Sequence, residues 1–443
     1  MPKLKIITYG CQANELDSER IAGVLEGVGY TLIEREEEAD LILVNTCSIR
    51  EKAEQKVFSR LGQLAILKKE KPGLKLGLCG CLAQREGNEL LKRFPTLDLV
   101  AGTGSYPNLP QLLSKKGRAA ALSFPEEAQR WPRIKRRSRI KAWVGIMDGC
   151  DNFCAFCVVP STRGHERSRS PEDILKEVDE LVEQGYKEIT LLGQTVNSYG
   201  KKLKPLVSFA ELLRMIDERV GGKIRVRFTS SFPKDVTEEL AEAMAELPSV
   251  CEHIHLPVQS GSTKILKEMA RDYTREDYLE KIALLCSKVP EIAITTDIIV
   301  GFPGEEEEDF QETLSLMEAV GFDGVFAFRY SLRPNTPAAR FSNQVPEEVK
   351  ARRLHELFEL QDHISSTKNR AWIGREVEVL VDSDDAKVKE GGFFSGRTRG
   401  NKLVHFKGQG VREGDLVWVR VEEVAAHYLR GFLCSPRRSY EAV

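Results

Sequence analysis

Three cysteines stand in the stretch GCDNFCAFCVVPSTRG, at Cys150, Cys154 and Cys157, and no fourth follows. A structural zinc site or a closed iron-sulfur cluster takes four protein ligands. Three thiolates on one tight loop can instead hold three irons of a cubane and leave the fourth iron open to a small molecule. Zinc completed by His165 is the competing reading, and it lacks a paired C-x2-C partner downstream.

A second set is dispersed. Cys11, Cys47 and Cys81 each follow a β-rich apolar run and precede a helical segment, in LKIITYGCQANELDSERIAGVLEGVGY, ADLILVNTCSIREKAEQKVFSRLGQL and LKLGLCGCLAQREGNELLKRF. Repeated βα units specify a parallel sheet covered by helices, with sites beyond the carboxyl ends of its strands. The three thiols are therefore expected on one sheet edge. A single cysteine at a strand end is usually a small buried hydrophobe; three at equivalent places favour a second three-cysteine cluster. Cys79 lies inside its strand and reads as packing, and Cys251, Cys286 and Cys434 read as core thiols.

The elements that must position these residues fill about three domains in a chain of 443 residues. Residues 1–125 form a doubly wound parallel-sheet domain of the α/β class, and 126–141 a basic linker rich in arginine, including Arg136, Arg137 and Arg139. The linker reads as a solvated tether or as a strip that meets phosphates. From 142 to 370 six β-rich runs alternate with helices, the pattern of a partial (βα)6 barrel with its chemistry at the strand carboxyl ends. One helix carries Ser170 as cap, Pro171 in its first turn, Asp173 completing a capping box and Gly185 at its close, with Ile174, Val178, Leu181 and Val182 as its apolar stripe. Residues 371–438 alternate with Gly-rich breaks, as in a small antiparallel β-barrel, and SGRTRGNKLVHF mixes basic and aromatic residues like an RNA-binding surface.

Net charge is -2, so nucleic-acid binding would have to come from local patches. Ten cysteines, clumped rather than spread, suit metal or redox chemistry in a reducing compartment better than a disulfide scaffold. No signal segment and no apolar run of membrane-spanning length is visible, so a cytoplasmic protein without membrane association is expected.

At the predicted barrel strand ends stand Gln194, Asn197, Ser230, Ser231, Gln259, Asp297 and Gly301, which could bind a cofactor's polar groups or serve as turn and cap residues. His253 and His255 share one strand face and read as barrel-interior residues. Arg271 reads as a hook for phosphate or carboxylate, or as a solvated helix end.

The C-x3-C-x2-C set, just after a strand and with Phe156 between its last two cysteines, resembles the radical S-adenosylmethionine superfamily. TYGCQANELDSE, NTCSIREKAEQKVFSRLG, CGCLAQREG, GCDNFCAFCVVPSTRGHERSRSPEDI, LLGQTVNSYG, HLPVQSGSTKILKEMARDYTREDY and TTDIIVGFPGE resemble, in order, the methylthiotransferases, and the terminal barrel resembles a TRAM domain. Ala13, Ala155 and Ser161 depart from that family's common methionine, threonine and tyrosine. The resemblance implies two 4Fe-4S clusters, one on Cys150, Cys154 and Cys157 and an auxiliary one on Cys11, Cys47 and Cys81. It further implies S-adenosylmethionine bound near Phe156 and the strand-end residues, and an external one-electron donor. The implied substrate is the anticodon stem-loop of tRNA bearing N(6)-isopentenyladenosine, methylthiolated at carbon 2 by a monomer; the alternatives are threonylcarbamoyladenosine tRNA and a ribosomal protein aspartate.

Overall fold

A computed structural model describes residues 1–48, 51–382 and 393–434. The expected end of the terminal barrel at 435–438 lies outside the described residues, as do Ile49 and Arg50 after Cys47.

Strands β1 (Lys3–Tyr9), β2 (Thr31–Leu32), β3 (Leu41–Thr46), β4 (Lys75–Gly80), β5 (Leu99–Ala101) and β6 (Ala119–Ala121) make one all-parallel sheet in the order β2-β1-β3-β4-β5-β6. Alternation sends Leu41 and Leu43 into a core with Ile21, Leu25 and Tyr106, and Ile42 and Val44 into a second core with Val57, Leu61 and Leu64. Helices cover both faces, which is why Leu41 to Val44 of β3 are apolar without a break. Strand order reverses beside β1, so the crevice for a ligand lies between the carboxyl ends of β1 and β3.

The basic linker is not a free tether. Trp131 packs against the first of these cores, and the Arg20 guanidinium lies 4.9 Å from its ring centroid. The backbone amides of Lys135 and Arg137 donate to the carbonyl and carboxylate of Glu19, each at 3.0 Å. Arg136 pairs with Glu19 at 3.2 Å and also with Glu177 of the next domain. This strap crosses the helix Gln12–Glu26 at Gly23, where any Cβ would collide with the Arg133 carbonyl.

The central domain holds β7 (Lys141–Gly145), a short hairpin β8 (Met147–Asp148) and β9 (Arg167–Ser168), then β10 (Glu188–Leu192), β11 (Arg225–Phe228), β12 (His253–His255), β13 (Ala293–Val300) and β14 (Gly324–Arg329). The six longer parallel strands are those expected. They form the half-sheets β7-β10-β11 and β12-β13-β14, joined where Val226 pairs with the Ser249 carbonyl (2.8 Å) and the Cys251 amide (2.9 Å). The barrel does not close, and β7 and β14 are its edges. Ser170 caps its helix through the Asp173 amide at 3.2 Å; the Asp173 carboxylate pairs with Arg130 instead of completing a capping box.

Strands β15 (Glu376–Val381), β16 (Phe393–Arg397), β17 (Leu403–Lys407), β18 (Leu416–Val424) and β19 (Tyr428–Leu433) form a closed barrel around Val379, Phe406, Val419 and Val421. It is antiparallel except for β17 and β19, which run parallel. The SGRTRG turn, expected to face RNA, is instead the joint to the central barrel. Arg225 donates to the Arg397 carbonyl (2.8 Å), and Arg227 to those of Arg399 and Thr398 (2.6 and 2.7 Å). Arg399 pairs with Glu252 (2.8 Å) and Lys402 with Asp323 (3.1 Å).

Cys79 and Cys251 are core thiols as expected, but Cys286 is exposed and Cys434 half-buried. Tyr278, Ile282 and Leu285 form the buried stripe of the helix Arg275–Lys288, and the next residue turns about 100° away from it. Among the described residues no helix is long and apolar enough to cross a membrane.

Replacing Gly23 with valine is expected to lift the strap, exposing Trp131 and lowering stability by about 1–3 kcal/mol. Thermal denaturation and acrylamide quenching of tryptophan emission, with Trp131→Phe as control, measure both. Unchanged quenching would contradict the docked strap.

Candidate active site

Cys11, Cys47 and Cys81 sit at the carboxyl ends of the adjacent strands β1, β3 and β4, across the crevice where strand order reverses. Cys11 begins the helix Gln12–Glu26, its carbonyl accepting from the Asn14 and Glu15 amides at 2.9 and 3.1 Å. The Cys47 amide donates to the Tyr9 carbonyl at 2.8 Å, and Cys81 opens a helix directly after Gly80. Gly80 takes φ +95°, and a Cβ there would strike the Thr46 carbonyl, so glycine lets β4 end against β3. Asn45, buried beneath, donates to the Asn14 carbonyl (2.8 Å) and the Ser18 hydroxyl (2.9 Å). A hydrogen bond with Cys47, aided by the Arg163 charge, holds the Cys11 thiol down to about 6, whereas burial pushes Cys81 up.

Arg163 belongs to the other triad's loop. Its buried guanidinium pairs with Asp17 at 2.7 Å and faces Asp148 at 3.7 Å. Asp17 also accepts from the Tyr106 hydroxyl at 3.1 Å and has Arg20 at 3.7 Å. One arginine from the central barrel thus stands among the thiols and acids of the first domain.

The loop carrying Cys150, Cys154 and Cys157 is closed at its base by the β8/β9 hairpin. Gly149, at φ +83°, leaves no room for a Cβ beside the His165 carbonyl and donates its amide to Gln194 at 2.5 Å. The Cys150 amide reaches the Gly164 carbonyl (3.1 Å), the Ala155 amide the Met269 carbonyl (2.8 Å), and the Cys157 sulfur accepts from the Val159 amide (3.4 Å). Burial pushes the Cys157 thiol up to about 12 and raises Cys150, with the neighbouring Cys154 adding repulsion to each. Three such sulfurs want cationic partners. One is present, because Arg271 donates to the Cys154 sulfur at 3.4 Å, to the Tyr273 hydroxyl at 2.9 Å and to the Pro257 carbonyl at 2.9 Å, over the Phe232 ring. Arg271 is therefore neither a solvated helix end nor a hook for phosphate.

His165 turns to Asp151 at 2.7 Å and its side chain is exposed, so it does not complete the triad as a zinc ligand. Among the described residues no three Cys, His, Asp or Glu side chains converge as chelators of one ion. A multi-iron cluster spreads its cysteines over separate corners, and both donor sets, three thiols without a fourth, suit one with an open iron.

The strand-end residues divide. Asn197 is taken up by the Phe232 backbone, accepting from its amide (2.7 Å) and donating to its carbonyl (2.8 Å). Gly301, at φ +69°, gives its amide to Glu305 at 2.8 Å and packs against Lys350; burial raises that Glu305 carboxyl to about 7. Gln194 braces the cysteine loop. These three contribute to the scaffold around the loop and the strand ends. Ser231 is 3% exposed and its hydroxyl has no partner among the described residues, the mark of a group awaiting a ligand. Ser230 and Gln259 hold φ of +66° and +75°, strain that clusters at binding sites. Asp297 faces the lumen, since Ile298 and Val300 face the helix-covered core, and it meets His255 at 3.3 Å. His255 and His253 share the Thr295 hydroxyl at 3.0 and 3.2 Å, and burial lowers His253 to about 3, a neutral interior histidine. Phe156 lies edge-on to Phe302, its ring centroid 6.5 Å away.

Sequence reasoning missed Asp17, Tyr106 and the placement of Arg163. An acid six residues beyond Cys11 was visible; a partner 146 positions away was not.

Family models match three stretches of the chain: Radical SAM superfamily at residues 144–317, Uncharacterized protein family UPF0004 at 3–102, and TRAM domain at 370–433. The chain is 49% identical to a protein of Carboxydothermus hydrogenoformans named tRNA-2-methylthio-N(6)-dimethylallyladenosine synthase, over 97% of this chain and 98% of that one. A protein of the same name from Desulforamulus reducens is 48% identical over 97% and 95%. Among solved structures, the radical S-adenosylmethionine methyltransferase TsrM of Kitasatospora setae shares the fold at TM-score 0.57 and 15% identity, covering 76% of this chain and 75% of its own. The cobalamin-dependent S-adenosylmethionine radical enzyme OxsB does so at 0.54 and 15%, covering 81% and 56%.

With a cluster on Cys150, Cys154 and Cys157, Arg271→Met is expected to lower its midpoint potential, because a positive charge beside a ligand sulfur favours the added electron. The shift is roughly 50–100 mV at an effective dielectric of about 20. A redox titration followed by electron paramagnetic resonance reads it, and an unshifted potential would contradict the contact.

Proposed function

The chain belongs to the radical S-adenosylmethionine methylthiotransferases, as a full-length relative of tRNA-2-methylthio-N(6)-dimethylallyladenosine synthases, and from that membership we propose that it methylthiolates carbon 2 of N(6)-isopentenyladenosine beside the tRNA anticodon. The observation that supports this reading is the buried Asp17–Arg163 pair, which ties the domain carrying one three-cysteine set to the segment that follows the other. A reaction that combines radical formation with sulfur transfer on one base needs both sets at one pocket.

In this reading Cys150, Cys154 and Cys157 hold one 4Fe-4S cluster with its open iron for S-adenosylmethionine, and Cys11, Cys47 and Cys81 hold the auxiliary one. When bound, these groups supply the radical chemistry, the sulfur and the methyl group that no side chain provides. The chain's own part is placement. Arg271 balances the Cys154 thiolate, Arg163 does the same beside Cys11 and Cys81, and Ser231, Asp297 and the side chains of Ser230 and Gln259 are the groups that orient the cofactor. An external one-electron donor, a monomeric enzyme and a cytoplasmic setting complete the reading. So does a division at 125, 141 and 370, with the strap at 126–141 between the auxiliary and radical domains.

The terminal barrel supplies the RNA grip, though not through SGRTRG. On its outer face Lys407, Phe432 and Arg420 line up across β17, β19 and β18, and all three are exposed, with Trp418 beyond them on β18. Cations for phosphates alternate there with rings for bases.

Cys154→Ala is expected to abolish reductive cleavage of S-adenosylmethionine, while Cys11→Ala keeps cleavage and loses the methylthio nucleoside. Anaerobic assays on isopentenylated tRNA, read by mass spectrometry of digested nucleosides, separate the two. Equal cleavage by Cys154→Ala and wild type would sink the assignment, and product only from threonylcarbamoyladenosine tRNA would move the substrate. Arg420→Glu is expected to weaken tRNA binding and reduce the slope of log affinity against log salt by about one; an unchanged slope would place the grip elsewhere.

A further inference from the structure

The first domain and the central barrel are tied at a second place, away from Asp17 and Arg163. Arg85 stands about one helical turn after Cys81, and its guanidinium donates at 2.7 Å to the hydroxyl of Ser48, the residue that follows Cys47. The same fork grips both carboxylate oxygens of Glu54, at 2.9 and 3.0 Å, and reaches Glu86 at 2.8 Å. One guanidinium thus fixes the element of Cys47 against that of Cys81. Glu54, on the helix Glu51–Glu70, has a further cation 3.5 Å away, Arg333 from the loop that follows β14. That loop is fastened in turn. The Arg333 carbonyl accepts from the Thr336 hydroxyl at 2.8 Å, and the Ala338 amide donates at 3.0 Å to the carbonyl of Ala155, which lies between Cys154 and Cys157. Ala155 and Ala338 share a buried cluster with Met269 and Phe302.

Arg85, Glu54 and Arg333 keep only 7%, 13% and 10% of their side-chain surface in solvent. Charges so placed cannot part without leaving one buried and uncompensated, and a two-pronged grip also fixes the plane of the carboxylate. The older tie, Asp17 to Arg163, holds the helix that begins at Cys11 to the segment that follows Cys157. One attachment leaves a pivot; two at different places fix an orientation. We propose that Glu54 is a positioning residue, which with Arg333 holds the domain of Cys11, Cys47 and Cys81 at one orientation to the loop of Cys150, Cys154 and Cys157. This rests on the reading of both sets as cluster sites. Radical formation needs the second set alone, whereas passing a methylthio group to a substrate radical needs both in place. A misplacement of about 1 Å costs up to roughly 100-fold in such a step, so loosening the tie separates cofactor cleavage from product.

The test uses the full chain with both clusters reconstituted and reduced, and reads their separation by pulsed dipolar electron paramagnetic resonance. Wild type is expected to show one narrow separation, and Arg333→Met and Glu54→Gln a broadened one at unchanged iron content. Glu54→Gln keeps the shape and an acceptor for Arg85 while removing the charge that faces Arg333. In both variants kcat for the methylthio nucleoside is expected to fall about 10- to 100-fold, with KM for the isopentenylated stem-loop and RNA-free cleavage of S-adenosylmethionine within about twofold of wild type. Arg333→Lys, which keeps a charge toward Glu54, should recover most of the rate. A wild-type separation in both Arg333→Met and Glu54→Gln would overturn the proposal. So would loss of iron from both, which would make Glu54 a folding contact only. A separation that broadens in the variants, in a wild type that yields no methylthio nucleoside from any tRNA, would leave the tie standing and remove the proposed function beneath it.

Discussion

The buried pair between Asp17 and Arg163 is the interaction on which the rest of the site depends. Both residues are nearly inaccessible, and each comes from a different domain. Desolvating two charges costs several kcal/mol, and Coulomb attraction offsets this only when geometry and further hydrogen bonds are good. Here the Tyr106 hydroxyl donates one to the acid, and the charges of Arg20 and Asp148, each 3.7 Å away, flank the pair. A hydrophobic contact of equal strength could slide; a guanidinium fixed among these oxygens and thiols cannot move far without stranding a charge. The pair therefore contributes less to stability than to relative position, which two-site chemistry needs.

Other joints use the same device. Glu177 takes Arg136 of the strap and Arg169 at 2.7 Å, tying the linker to the barrel it leads into. At the far end Arg225 and Arg227 are held by backbone carbonyls of the SGRTRG turn. Arginine suits these places because its planar fork serves several acceptors at once and stays charged when buried. The three domains are thus fastened by directional contacts, and the hydrophobic clusters remain largely within each domain.

Much of this was legible in the sequence because it is local. Six barrel strands, three βα units and the cap at Ser170 are written in short periodic patterns, and the equivalent positions of Cys11, Cys47 and Cys81 follow from them. What was illegible is what depends on distant partners. The basic strip SGRTRG has the composition of an RNA surface, and only its meeting with Arg225 and Arg227, some 172 positions earlier, makes it a joint. Arg271 displays its charge but not its burial. The β8/β9 hairpin is two residues per strand, too short for any alternation to register, and nothing local announces that the Asn197 side chain meets the Phe232 backbone or that the Gly301 amide meets Glu305.

Strand β3 is apolar on both faces, and this has a consequence for fidelity. If it slipped by one residue against β1, Leu41 and Leu43 would merely exchange cores with Ile42 and Val44, at little hydrophobic cost. Cys47 would nevertheless be carried about 3.3 Å along the strand axis, out of step with Cys11 and Cys81. The error is detected by a polar residue. Asn45 finds the Asn14 carbonyl and the Ser18 hydroxyl in only one alignment, and in any other its amide would be buried without partners. A single buried asparagine thus proofreads the alignment that the oily residues around it leave ambiguous.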